Sequence, residues 1–129
     1  MASQKLNELI IAVKGAGEMA TGIAVRLFNA GFRQIFMIDI SAPMTVRRRV
    51  SFSEAIHDGT ALVEGVRAVK TSASDQFPTA WANKTVPILV DPEWQTIREI
   101  RPHVVIDAVI AKRNLGTTKS EAPLVIGLG

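Results

Sequence analysis

Leu9-Ile10-Ile11-Ala12-Val13-Lys14-Gly15-Ala16-Gly17-Glu18-Met19-Ala20 is the stretch on which the fold turns. A short β-rich apolar run enters a glycine pair and leaves it with helical spacing. The helix runs from Glu18 to Asn29, where Met19, Ile23 and Leu27 beside Ala20, Ala24 and Phe28 make two adjacent i, i+4 rows on one face. Ala30-Gly31 ends it, with Gly31 placed for the left-handed conformation that follows a helix. A second strand, Gln34 to Ile38, carries Asp39 at its carboxyl end.

The same alternation continues along the chain. Thr60 to Lys70 reads as a β-hairpin about Glu64-Gly65. Ser72-Ala73-Ser74-Asp75 forms an N-cap cluster for a short amphipathic helix holding Phe77 and Trp81. Val86 to Val90 is a buried strand. Asp91-Pro92 caps a helix through Glu99 with proline at its first position, and Arg101-Pro102 closes that helix. His103 to Ile110 and Pro123 to Ile126 are further strands, whereas Met44 to Ala55 gives no clear pattern beyond a helical turn at the arginines. The expected fold is α/β: a Rossmann-like, mostly parallel doubly wound sheet of five core strands with a β-hairpin excursion.

Composition narrows the classes. At 129 residues the chain makes one domain, 1–129, and 47% apolar residues suffice for a core. There is no cysteine, which excludes disulfides, zinc-thiolate sites and a thiol nucleophile within the chain. A net charge of +3 is too mild for a nucleic-acid footprint, and only Arg47, Arg48 and Arg49 cluster. The apolar runs fall far short of the roughly 20 residues that span a bilayer, and Met1 to Glu8 lacks a signal-peptide core. The expectation is a soluble, cytoplasmic protein without membrane or nucleic-acid partners. Positive mean hydropathy suggests strands buried on both faces or a sizeable interface, as in a homo-oligomer. The closing Gly127-Leu128-Gly129 reads as a motif cut short, so the domain is expected to be truncated at its C-terminus.

Gly15-Ala16-Gly17-Glu18-Met19-Ala20 has the spacing G-x-G-x-x-A between strand and helix. Gly15 permits the tight turn, Gly17 lets backbone approach a pyrophosphate, and Ala20 lets the helix pack on the strand. The helix amino end then faces the anion. Asp39, 24 residues after Gly15, is placed to accept from ribose hydroxyls. The plainer reading has the glycines make a tight turn and Asp39 cap a loop. Lys14 favours a nucleotide; Glu18, a carboxylate in the first helical turn, opposes one.

Arg47 and Arg48 follow the second strand on the side where a phosphate would meet them. Successive helical residues point about 100° apart, so no more than two of the three arginines face one ligand. A solvated basic turn accounts for them equally well. Asp107 sits in the apolar run Val104 to Ile110, where an unpaired carboxylate is costly. Either the strand ends there and the carboxylate enters a ligand crevice, or it locks a neighbouring loop. Lys112, Arg113 and Asn114 follow as a rim facing an anion or substrate. His57 and His103 stand apart from carboxylates at ligand spacing and read as surface or edge histidines; no metal site is expected. Zincin, serine-hydrolase and P-loop motifs are absent from the sequence.

A resemblance covers nearly the whole chain from about Ile10 onward. Its residues are Gly15 to Ala24, Arg47-Arg48, Phe52-Ser53-Glu54-Ala55, Val63-Glu64-Gly65-Val66, Leu89-Val90-Asp91-Pro92, Asp107-Ala108, Ala111 to Gly116 and Ala122 to Gly129. In this order they resemble the accessory-protein family of selenium-dependent molybdenum hydroxylases, of the YqeB type. The resemblance implies a bacterial cytoplasmic protein with a Rossmann-like domain that helps mature hydroxylases carrying a labile selenium, with a link to the molybdenum cofactor. Asp107, Lys112, Arg113 and Asn114 carry over as motif positions without roles. The expected function is a nucleotide- or nucleotide-cofactor-binding domain of such an accessory protein, with NAD or another nucleotide as ligand and a molybdenum hydroxylase as partner. The alternatives are an NAD(P)-dependent oxidoreductase domain, weakened by the absence of tyrosine, and a non-catalytic Rossmann-like scaffold.

Overall fold

Ile10–Lys14 is apolar up to its last residue and so is suited to burial on both faces; it forms a central strand of the sheet. The computed structural model describes residues 6–39, 51–108 and 122–127. The strands are β1 (Ile10–Lys14), β2 (Gln34–Asp39), β3 (Thr60–Val63), β4 (Val66–Lys70), β5 (Val86–Val90), β6 (Val104–Asp107) and β7 (Leu124–Gly127). The helices are α1 (Glu18–Asn29), α2 (Glu54–Asp58), α3 (Phe77–Ala82) and α4 (Gln95–Ile100), with single 3-10 turns at Leu6–Glu8 and Ser74–Gln76.

One seven-stranded sheet runs β3-β4-β5-β2-β1-β6-β7. Every neighbouring pair is parallel except β3 and β4. The hairpin does not stand apart as an excursion: β4 pairs with β5 and extends the sheet to seven strands. Chain order reverses between β1 and β6, because β2, β5 and β4 build outward on one side and β7 on the other.

Helices cover both faces. Ala20, Ala24 and Val25 of α1 and Ala55 and Ile56 of α2 pack with Ile11, Val13, Ile35, Met37, Ile88 and Ile106. On the other face Phe77, Trp94 and Ile97 pack with Ala12, Phe36, Ile38 and Val105. Phe36 and Phe77 stack tilted at 4.9 Å, and the Trp81 indole N–H donates to the Ile35 carbonyl at 2.9 Å, so the amphipathic ring loses no hydrogen bond on burial. The edge strands leave Leu62, Leu124 and Ile126 exposed.

α1 begins and ends as its sequence predicts, and its expected apolar face meets the core except at Met19. Met19 is exposed, while Ala20, Thr21, Ala24 and Val25 are buried and Ile23, Leu27 and Phe28 flank them. Small side chains let the helix axis approach the sheet, and the longer ones splay to its sides. At the far end Gly31 has φ +114°; its N–H bonds to the Phe28 carbonyl and the Phe32 N–H to the Leu27 carbonyl, which is the Schellman arrangement.

Two capping expectations are corrected. The helix after Ser72 has no side-chain cap from its serines; Gln76 Oε1 instead accepts from the Ser72 N–H at 2.7 Å. Pro92 is not the first residue of a helix. Asp91 and Pro92 belong to a turn, and α4 starts at Gln95 after Trp94, whose φ of +57° is left-handed. Asp91 still serves the helix, since its Oδ2 accepts from the Thr96 N–H at 2.7 Å. Strand β6 ends at Asp107, and residues 109–110, expected to continue it, lie outside the described residues. Among the described residues no helix is long and apolar enough to cross a membrane.

Candidate functional site

Parallel pairing of β2, β1 and β6 brings their carboxyl ends to one edge of the sheet. Gly15 and Gly17, Ala20 in the first turn of α1, Asp39 and Asp107 all lie along it. This edge straddles the point where chain order reverses, a place where open α/β sheets leave a crevice for ligands.

Gly15 has φ +113°, a conformation that disfavours any side chain, and its N–H bonds to the Ile38 carbonyl at 2.6 Å. A Cβ there would meet the Ala108 carbonyl oxygen at 3.3 Å and the Ala20 methyl at 3.5 Å. Turn, helix and β6 are therefore packed closely. Gly17 differs: its φ of −74° is open to any residue and, among the described residues, no atom beyond its chain neighbours lies within 4 Å of where a Cβ would stand. α1 has no side-chain cap at this end, and Glu18 is exposed in its first turn.

The turn is held from the side the sequence did not reveal. The Ala16 carbonyl accepts from Ser51 Oγ at 2.6 Å, from the Ser53 N–H at 2.9 Å and from Thr21 Oγ1 at 3.3 Å. Thr21 Oγ1 in turn accepts from the Phe52 N–H at 2.8 Å, and the Ser51 and Ser53 hydroxyls are 2.6 Å apart. All three hydroxyl-bearing residues are buried, as is Phe52. A serine pair two residues apart, just before a helix, reads locally as capping; nothing in its spacing announces a bond to a carbonyl 35 residues earlier.

Alternation along β2 puts Asp39 on the face of Ile35 and Met37, with α1. Asp107 is the register partner of Lys14 and lies on the opposite face, with Ala12, Val105 and Trp94. Thus the two carboxylates share an edge but flank the glycine turn from opposite faces. The Ala108 N–H bonds to the Lys14 carbonyl at 3.0 Å. Lys14 itself is wholly buried, with Nζ 4.6 Å from the centre of the Trp94 ring. The Asp91 N–H bonds to the Asp39 carbonyl at 2.8 Å, tying the turn before α4 to the end of β2.

Burial pushes the Asp91 carboxyl up, but hydrogen bonds from the Thr96 N–H and hydroxyl and from the Gln95 and Glu93 N–H groups outweigh it and hold the group below its ordinary value of 3.8. Arg47, Arg48, Lys112, Arg113 and Asn114 lie outside the described residues, as does the loop expected to meet Asp107. His103 is an edge histidine: its Nδ1 accepts from the Ile10 N–H at 3.0 Å, at the amino ends of β1 and β6. His57 is exposed on α2. Among the described residues no three of His, Asp and Glu gather as a metal-binding group. A separate groove of about 540 Å³, lined by Lys70, Thr71, Asp75, Gln76, Thr79 and Asn83 among others, shares no residue with the glycine turn.

No family model matches the chain. Over 120 residues it is 38% identical to a protein of Escherichia coli (strain K12) named "Uncharacterized protein YqeB". The match covers 93% of this chain and 22% of the relative, so the chain spans about a fifth of the length of the curated relative it matches. Over most of its length the chain is thus similar to a YqeB protein.

Proposed function

We propose that this chain is a Rossmann-like nucleotide- or nucleotide-cofactor-binding domain of an accessory protein for the maturation of selenium-dependent molybdenum hydroxylases. The observation that carries the nucleotide reading is Gly17: a residue unhindered among the described residues and in an ordinary conformation, at the amino end of a twelve-residue helix, on the edge where the strand order reverses. A pyrophosphate there would meet free backbone N–H groups and the positive end of the helix dipole. Asp39, one strand away on the face of α1, would accept from ribose hydroxyls. The order β5-β2-β1-β6-β7 is that of a Rossmann-like sheet and supports the same reading. The maturation role rests on the sequence resemblance, with a bacterial, cytoplasmic setting and a molybdenum hydroxylase as partner.

A thermal-shift panel with NAD, NADP, CTP, ATP and molybdate tests the ligand. A compound at 100 times its dissociation constant adds about 2.7 kcal/mol of stability. Stabilisation by a nucleotide supports the reading, and no response to any nucleotide at millimolar concentration overturns it. A non-catalytic scaffold is the second reading, favoured by the exposed Glu18 carboxylate in the first turn of α1, which competes with a phosphate for the same dipole.

A further inference from the structure

The peptide joining Ala16 to Gly17 has two ends with opposite fates. In a planar trans peptide the C=O and the following N–H point in opposite directions. Ser51 Oγ, the Ser53 N–H and Thr21 Oγ1 together hold the Ala16 carbonyl toward the buried side of the turn. The Gly17 N–H of the same unit is thereby turned away from that side; a Cβ on Gly17 would meet no described atom beyond its chain neighbours within 4 Å. Were this peptide to flip, a carbonyl oxygen would face the crevice and repel an anion.

We propose that Ser51, with Ser53 and Thr21, is a positioning residue that fixes the Ala16–Gly17 peptide so that the Gly17 N–H is pre-aimed at the phosphate of a nucleotide ligand. This rests on the nucleotide reading above and adds to it which side chains set the donor's direction. The outlay of polar groups supports it. Three hydroxyls, each almost inaccessible to solvent, are set among Ala16, Phe52 and Ala55 around one turn. Ser51 makes the shortest of the bonds to the carbonyl, and Ser53 contributes both backbone N–H and a hydroxyl that meets Ser51 Oγ. A donor that needs no reorientation on binding loses less freedom when the anion arrives.

The test uses inorganic pyrophosphate as probe, followed at the Gly17 amide by ¹H–¹⁵N correlation spectra of the chain and its variants. In the parent, the Gly17 amide is expected to shift on titration. Ser51→Ala is expected to bind pyrophosphate at least tenfold more weakly, with the Gly17 resonance already displaced before any probe is added. Thr21→Val, which removes the longest bond to the Ala16 carbonyl together with the acceptor of the Phe52 N–H, is expected to show a smaller loss of pyrophosphate affinity than Ser51→Ala; it also stands in if Ser51→Ala fails to fold. Equal pyrophosphate affinity in parent and folded variants, with stability alone reduced, overturns the positioning role and leaves the nucleotide reading intact. A parent that binds neither pyrophosphate nor any nucleotide of the panel overturns both.

Discussion

Lys14 lies wholly buried at the carboxyl end of β1 with its Nζ 4.6 Å from the centre of the Trp94 ring, and Trp94 holds that place from a left-handed backbone at φ +57°. An ammonium inside a protein needs compensation, and the negative face of an indole supplies part of it. Trp94 in turn closes the core on that face beside Ala12, Ile38 and Ile97. Sheet, turn and charge are thus coupled through one contact.

Trp94→Ala is expected to cost about 3–5 kcal/mol, the usual range for emptying a buried aromatic site. Trp94→Phe should cost clearly less because a ring face still covers the ammonium. Urea denaturation measures both. Equal losses in the two variants would show that the ring face contributes nothing beyond its volume.

The two glycines of the turn should respond oppositely. Gly15→Ala forces a methyl into a positive-φ backbone against the Ala108 carbonyl and is expected to destabilise by about 1–3 kcal/mol. Gly17→Val meets no such barrier among the described residues and should cost about 1 kcal/mol or less. Its branched side chain would nevertheless fill the space a pyrophosphate needs, so nucleotide binding is expected to disappear. Denaturant melts paired with calorimetric titration separate the effects.

Asp39→Ala is expected to weaken an NAD-like ligand by about 1–3 kcal/mol through lost hydrogen bonds to ribose. The same substitution should weaken a 2′-phosphorylated ligand less, because the carboxylate repels that phosphate. Calorimetry with NAD and NADP decides it, and a parent protein preferring NADP would count against the assignment.

Acid should act through Asp91. Its folded-state carboxyl lies below the ordinary value of 3.8 to which unfolding returns it. The stability it contributes is therefore fully present above that value and is lost as pH falls through the lower folded-state pKa. Asp91→Ala is expected to cost about 0.5–2 kcal/mol near neutral pH, as for loss of a helix cap. The gap between parent and variant should close in urea melts carried from about pH 6 down to pH 2.5. A gap independent of pH would show that the Thr96 bond does not depend on the charge.

Much of this protein was legible in residue order. The switch from a β-rich run to helical spacing at Gly15 located β1 and α1, and Gly31 marked the end of that helix, because backbone preference and periodicity are local properties. The two-residue hairpin turn at Glu64-Gly65 and the carboxyl-end placement of Asp39 were equally local. What the sequence could not determine was contact between distant segments. Both rows of α1 read as one buried face, but the close approach of helix to sheet centred it on Ala20, Thr21 and Ala24 and left Met19 exposed. Pro92 looked like a first helical residue, and the packing of Trp94 against Lys14 accompanies a helix that starts three residues later. Ser51 carried only a local capping signal, since its role depends on a carbonyl 35 residues away. Local propensity is written in neighbouring residues, whereas the direction of a peptide in the glycine turn depends on which side chains tertiary packing brings against it.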